Sequence, residues 1–306
     1  MSQSPASPTV PAPSLHPPHR VFSPARIAAI ASNTLLELVR LKVFYFLLIF
    51  ALVLIGSSAF MIKFSFQEQF QMLKDVSLGA MSIFTWLLAV LATAMLLPKD
   101  IEDRTLYTIL AKPVPRFEYL IGKLLGVLVL LAISTLIMAG LFAVVLYARQ
   151  EIVIAEALGS GLPAEQAAAT IAEVKASTFS WSLVPGIISI YLKAALCAAL
   201  TLLISTFASS WIFTIVTSVA IYIIGHIQAV ARDYWLAGKA GTVVTKVFLG
   251  LVSLLFPDLQ LFNLVDDIVA GNTIAMLLFL KTAALGVVYI LVYLFLAYFI
   301  FLKKEL

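Results

Sequence analysis

Six apolar runs decide what this chain can become. Val43–Ile62, Leu78–Leu97, Leu124–Tyr147, Leu183–Phe207, Trp211–Val230 and Ala275–Leu302 are each long enough to cross a hydrocarbon core of about 30 Å at ~1.5 Å per helical residue. Inside lipid the backbone has no water to bond, so such runs close their hydrogen bonds within themselves as helices. The rest of the chain agrees, because 62% of its 306 residues are hydrophobic and 12% are charged, against roughly 45–50% and 25% in soluble domains. A water-soluble core could not hide that much apolar surface. The expected fold class is all-α: a polytopic membrane protein with six transmembrane helices.

The charges give these helices a direction. With the N-terminus in the cytoplasm, the cytoplasmic segments hold Arg20, Arg26, Arg40, Lys42, Lys99, Arg104, Lys112, Arg116, Lys123, Lys303 and Lys304. Set against them are Glu37, Asp100, Glu102, Asp103, Glu118 and Glu305. On the other side Lys63, Lys74, Arg149, Lys175, Arg232, Lys239 and Lys246 are outnumbered by acids. Basic residues are retained on the cytoplasmic face, so both termini are expected there, as an even number of spans requires. The net charge of +4 follows from this retention, and nucleic acid is not expected as a partner.

The segments between the spans carry their own expectations. Met1–Pro24 is rich in proline, serine and alanine, a composition that neither continues a helix nor forms a core, so a disordered cytoplasmic tail is expected. It has no apolar stretch of the kind a cleavable signal requires, which leaves the first span as the targeting signal. Residues 25–306 then form one six-span domain. Within Ala25–Lys42, Ile27, Ile30, Leu35, Leu38 and Leu41 recur at helical spacing, while Arg26, Asn33, Glu37 and Arg40 lie largely on another face. That pattern predicts an amphipathic helix in the cytoplasmic interface. On the outer side Lys63–Ser77 is a short loop, Ala148–Ser182 contains a helix over Ala164–Ala176, and Ala231–Thr273 contains the apolar stretch Val243–Phe256 ahead of Pro257. The last is too short to span and predicts a re-entrant or surface-lying helix.

The one substantial cytoplasmic loop is dense. Asp100 is placed to cap a short helix with Glu102 and Asp103 in its first turn, where carboxylates oppose the positive end of the dipole. Ile101, Thr105, Leu106, Ile109 and Leu110 give the helix an apolar stripe, and Pro113 with Pro115 ends it. Arg116, Phe117, Tyr119 and Lys123 border the third span, followed by Gly122 and Gly126 at a spacing that permits close helix contact.

The succession Pro98…Asp100-Ile101-Glu102-Asp103-Arg104-Thr105-Leu106…Lys112-Pro113-Val114…Arg116…Tyr119…Gly122-Lys123…Gly126 resembles the loop between the second and third spans of type 2 ATP-binding-cassette permeases. Asn33…Glu37-Leu38-Val39-Arg40 and Leu203-Ile204-Ser205-Thr206-Phe207 are similar to that family as well. The resemblance implies a permease subunit in the inner membrane of a bacterium. Its partners would be a second permease subunit, usually a copy of itself, and cytoplasmic ATPase subunits that carry the ATP and magnesium. It further implies an ATPase-facing surface that includes Glu37, Arg40, Asp100, Glu102, Asp103 and Arg104, with Pro113 and Arg116 fixing the exit of the loop. In this reading the loop helix is a coupling helix, and a short rigid helix tied to two spans can turn a domain movement into a tilt of those spans.

Other chemistry finds little footing. His16 and His19 lie in the tail and His226 stands alone on the fifth span, with an interhelical or headgroup hydrogen bond as its expected role; Cys197 is the single cysteine. Metal sites, which need three or four convergent ligands, have no evident source, and no cofactor is expected in this chain. No Gly-x-x-x-x-Gly-Lys-Ser/Thr occurs, so the chain is not expected to be an enzyme and ATP hydrolysis belongs to a partner. Lys193 and Lys281 lie in or near spans, where snorkelling to the outer interface is the simpler reading and a place on a substrate path the alternative. The function expected is that of a permease moving a substrate outward, and the rival is a membrane scaffold that holds partners without transport.

Overall fold

The computed structural model describes residues 22–60, 66–102, 115–159, 163–208, 210–236, 244, 247, 256–272 and 274–303. Among the described residues every regular element is helical. We number them α1 (Pro24–Val39), α2 (Lys42–Ser57), α3 (Phe66–Ala94), α4 (Leu96–Glu102), α5 (Arg116–Gly159), α6 (Ala164–Thr178), α7 (Leu183–Phe207), α8 (Trp211–Leu236), α9 (Val265–Val269) and α10 (Met276–Lys303). Five helical stretches are each long and apolar enough to cross a membrane, and α1 with α2, bent by 68° at their junction, makes a sixth when taken as one. This is a multi-pass membrane protein.

The bundle is built around α7. Its 25 residues span about 38 Å at ~1.5 Å each, enough for the hydrocarbon core. Ala194, Ala195, Cys197, Ala198 and Ala199 are all buried in it, and small side chains of this kind let neighbouring helices approach closely where no hydrophobic force separates helix from lipid. The helices α3 and α10 pack on it from two sides. By contrast α10 turns Leu277, Val288, Leu291 and Phe295 outward, and α2 does so with Phe46, Ile49 and Val53, as suits contact with acyl chains.

Two of the predicted loops are helical. Residues 148–159 continue α5, whose 44 residues reach about 66 Å, roughly twice the hydrocarbon thickness. The helix expected over Ala164–Ala176 is present as α6, which folds back onto α5. The expected loop Lys63–Ser77 is helical from Phe66 as the start of α3. There Lys74 donates to the carbonyl of Ser177 at 2.7 Å, at the end of α6, and Arg149 donates to Gln69 at 3.0 Å. A cation at a helix C-terminus opposes the negative end of its dipole.

At the other end α3 breaks at Met95 and resumes as α4. Pro98 explains the break, since its ring has no N–H to give the carbonyl of Ala94 and displaces it. After α8, a turn of 3₁₀ helix at Leu259–Phe262 lies against Gly225 of α8. A Cβ at Gly225 would stand 2.8 Å from Leu259 Cγ, so the position admits no larger residue without movement. Residues 1–21, most of the Val243–Phe256 stretch and Asp103–Val114 lie outside the described residues, and with them the expected tail, the re-entrant helix and most of the coupling helix.

Candidate functional site

The helix α1 does not simply extend the first span. It runs in the same sense as the start of α5 and sits in a trough made by two glycines. A Cβ at Gly122 would stand 2.7 Å from Ile30 Cβ, and one at Gly126 would stand 2.7 Å from Thr34 Cβ and 2.8 Å from the Ala31 carbonyl. Both helices advance by four residues between these contacts, so they stay in register for at least a turn. The Gly122-x-x-x-Gly126 spacing is the seat of α1.

Charges fix each end of that seat. In the first turn of α5, Glu118 receives Arg26 in a fork, from Nε at 2.7 Å and Nη2 at 2.8 Å, and also accepts the backbone N–H of Ser23 at 2.8 Å. Its side chain is 1% exposed. A carboxylate there gains from the helix dipole, and paired donors in one plane make the contact directional.

A second knot joins three helices. Glu37 of α1 accepts Lys99 of α4 at 2.8 Å and lies 3.7 Å from Lys123 of α5, while Lys123 reaches Asp100 of α4 at 2.7 Å. The hydroxyl of Tyr119 donates to the same Asp100 oxygen. Among the described residues two acids meet two bases here, and pairing of this kind is the condition for holding charges out of water. Lys123 is 4% exposed at its side chain and Asp100 10%. Asp100 therefore does not cap a helix, as its spacing suggested: α4 begins at Leu96, and Asp100 lies inside it, turned toward Lys123 and Tyr119.

Arg116 ties in the last helix. It donates to the carbonyls of Phe301 at 2.7 Å and Leu302 at 3.0 Å, which belong to the last turn of α10, where carbonyls lack helical partners. Its guanidinium also lies 5.6 Å from the centre of the Phe301 ring, and Tyr119 stacks on that ring at 6.0 Å.

Of the residues singled out from the sequence, Glu37, Asp100 and Arg116 thus converge on one network, while Arg40 and Glu102 are exposed beside it. Asp103, Arg104 and Pro113 lie outside the described residues. Sequence reasoning missed Arg26, Glu118, Tyr119 and Lys123 as members, although opposite charges flanking a small-x-x-x-small pair were there to be read. Lys281 is exposed at the start of α10. Lys193 is 5% exposed, and its ammonium meets His226 Nε2 at 2.9 Å. The interhelical bond expected of His226 is therefore present. Among the described residues no group of three metal-ligating side chains occurs.

A family model described as ABC-2 family transporter protein matches residues 28–306. The chain belongs to the ABC-2 transporter family. The match begins within α1 and runs to the C-terminus, so the glycine trough, the knot and the Arg116 tie all fall inside the family domain, and the resemblance read from the loop is borne out at the level of the family. Domains of this kind are membrane subunits of ATP-binding-cassette transporters. No curated protein matches the chain.

Proposed function

We propose that this chain is the permease subunit of an ATP-driven exporter, pairing with a copy of itself in a bacterial inner membrane, with both termini and the knot in the cytoplasm. A separate ATPase binds ATP and magnesium and presses on the surface formed by Arg40, Glu102 and the following loop, in which Asp103, Arg104 and Pro113 belong to the same contact. The observation that carries this reading is the knot itself. Glu37, Lys99, Asp100 and Lys123 join α1, α4 and α5, so a force on any one moves all three. Helices that shift as packed units convert a small displacement at one end into a change between spans. Glu37, Asp100 and Arg116 act in this account as positioning residues, because their side chains are spent on internal partners, whereas Arg40 and Glu102 are turned outward.

The test is reconstitution. The tagged chain is purified from its native membranes, any copurifying protein with a P-loop is identified, and ATP hydrolysis by the pair is measured in proteoliposomes. The reading expects hydrolysis stimulated by the permease and lowered severalfold by Arg40→Ala with Glu102→Ala. Stable copurification with hydrolysis indifferent to the permease and to these substitutions would favour the scaffold.

A further inference from the structure

The coupling surface proposed above makes no use of Lys193, a charge buried in the bundle. Lys193 lies well inside α7, about 15 Å from that helix's start at Leu183 by ~1.5 Å per residue. Among the described residues it forms no ion pair with a carboxylate; Asp266 acts on it only through space. Its ammonium instead meets Nε2 of His226 on α8 at 2.9 Å and lies 5.5 Å from the centre of the Tyr222 ring.

The protonation of this pair can be read from its geometry. His226 Nδ1 lies 2.9 Å from the carbonyl of Tyr222. A carbonyl only accepts, so Nδ1 carries the proton, and Nε2 keeps the lone pair that receives the lysine. A second proton on the imidazole would take away that acceptor and set two cations 2.9 Å apart in surroundings that screen them poorly. Both groups cannot be charged while the contact stands.

We infer that Lys193 and His226 form a proton-sensitive latch between α7 and α8, closed while the imidazole is neutral and opened when it gains a proton. The surrounding groups do not cancel the effect. From α7 there is Cys197, one turn from Lys193, and α3 contributes Trp86, which does not titrate and stacks on Tyr222 at 3.9 Å. From the segment after α8, Asp258 acts on His226, but its carboxylate is bound to Arg232. Asp266 acts on Lys193, and α10 brings Tyr289 near Asp258 and Tyr293 near Cys197. Among the described residues neither Lys193 nor His226 forms an ion pair with a carboxylate, and Asp266 acts on Lys193 only through space. Beyond this contact α8 packs on α7, α3 and the 3₁₀ turn, while Ile223 and Ile227 face outward.

The chain contains its own reporter. Cys197 is the single cysteine and is buried in the seam. Its alkylation by N-ethylmaleimide is followed in the full chain in lipid nanodiscs between pH 8 and pH 5.5. Thiols themselves react more slowly as pH falls, because the thiolate is the nucleophile, so acceleration has to come from opening. At pH 5.5 the native chain should label severalfold faster than His226→Gln, which keeps an acceptor but does not titrate, and at pH 8 the two should agree. His226→Arg, charged at every pH, should label faster than His226→Gln at each pH, and Lys193→Met added to it should restore slow labelling. Lys193→Met alone shows the slowing that comes from losing the lysine's own charge beside the thiol, so only a larger slowing in the double variant counts as rescue and separates an opened seam from a misfolded one. The inference is overturned if His226→Gln matches the native chain at both pH values, if His226→Arg labels as slowly as the native chain at pH 8, or if Lys193→Met slows it no more than it slows the native chain. The readout needs no ATPase, so its failure and that of the transport reading are distinct.

Discussion

Removing the Lys123 ammonium should unbalance the knot and cost more than removing both partners. In Lys123→Met, Asp100 keeps the Tyr119 hydroxyl but loses the cation at 2.7 Å, while Glu37 retains Lys99 at 2.8 Å. Among the described residues the network passes from two acids against two bases to two against one, in a site where the Asp100 side chain is 10% exposed. Breaking one side of a buried pair costs about 3–5 kcal/mol, and the surviving hydroxyl places this case near ~3 kcal/mol. Asp100→Asn in the same chain restores the match of acids to bases among the described residues and keeps an acceptor for Tyr119, so the double variant should recover roughly 2 kcal/mol of that loss. Equilibrium unfolding in mixed micelles, followed by tryptophan fluorescence, measures the cycle. A single-variant cost under about 1 kcal/mol, or a double variant no more stable than Lys123→Met, would refute the argument that the charges hold one another in place.

Three further outcomes follow from the same geometry. Gly126→Leu should lose about 1–3 kcal/mol, because its Cβ would meet a backbone carbonyl at 2.8 Å that cannot turn aside, and a cysteine pair placed across α1 and α5 should then cross-link more slowly. Arg116→Ala should loosen the last turn of α10, read as faster tryptic cleavage at Lys303, with cleavage at the other remaining sites unchanged. Arg40→Glu with Glu102→Lys should leave thermal stability within about 0.5 kcal/mol, as exposed charges do, while lowering ATP hydrolysis by a bound ATPase.

Much of the fold could be read from hydropathy, and the limits of that reading have physical causes. Leu183–Phe207 was located to the residue, since lipid-length runs with polar ends leave little freedom. The extension of α5 to Gly159 could not be found in this way, because hydropathy marks where a helix leaves lipid and not where it ends. Its last turns are held by α6, which folds back on them, a contact that hydropathy along α5 does not record. Asp100 was misjudged as a cap for a related reason: cap rules are local, and its partners Tyr119 and Lys123 come from another helix. The trough at Gly122 and Gly126 was visible as a spacing, but only the seating of Ile30 and Thr34 gives it a purpose.

The central claim is that α1 and the start of α5 transmit force as one body. It is tested most directly by replacing their ion pair with a covalent bridge. Arg26→Cys with Glu118→Cys removes the fork, and a short bifunctional methanethiosulfonate can rejoin the two helices. With the copurified ATPase in proteoliposomes, permease-stimulated hydrolysis should fall in the unbridged variant and return when the bridge is made. Full activity without the bridge, or loss of activity on bridging, would contradict the claim.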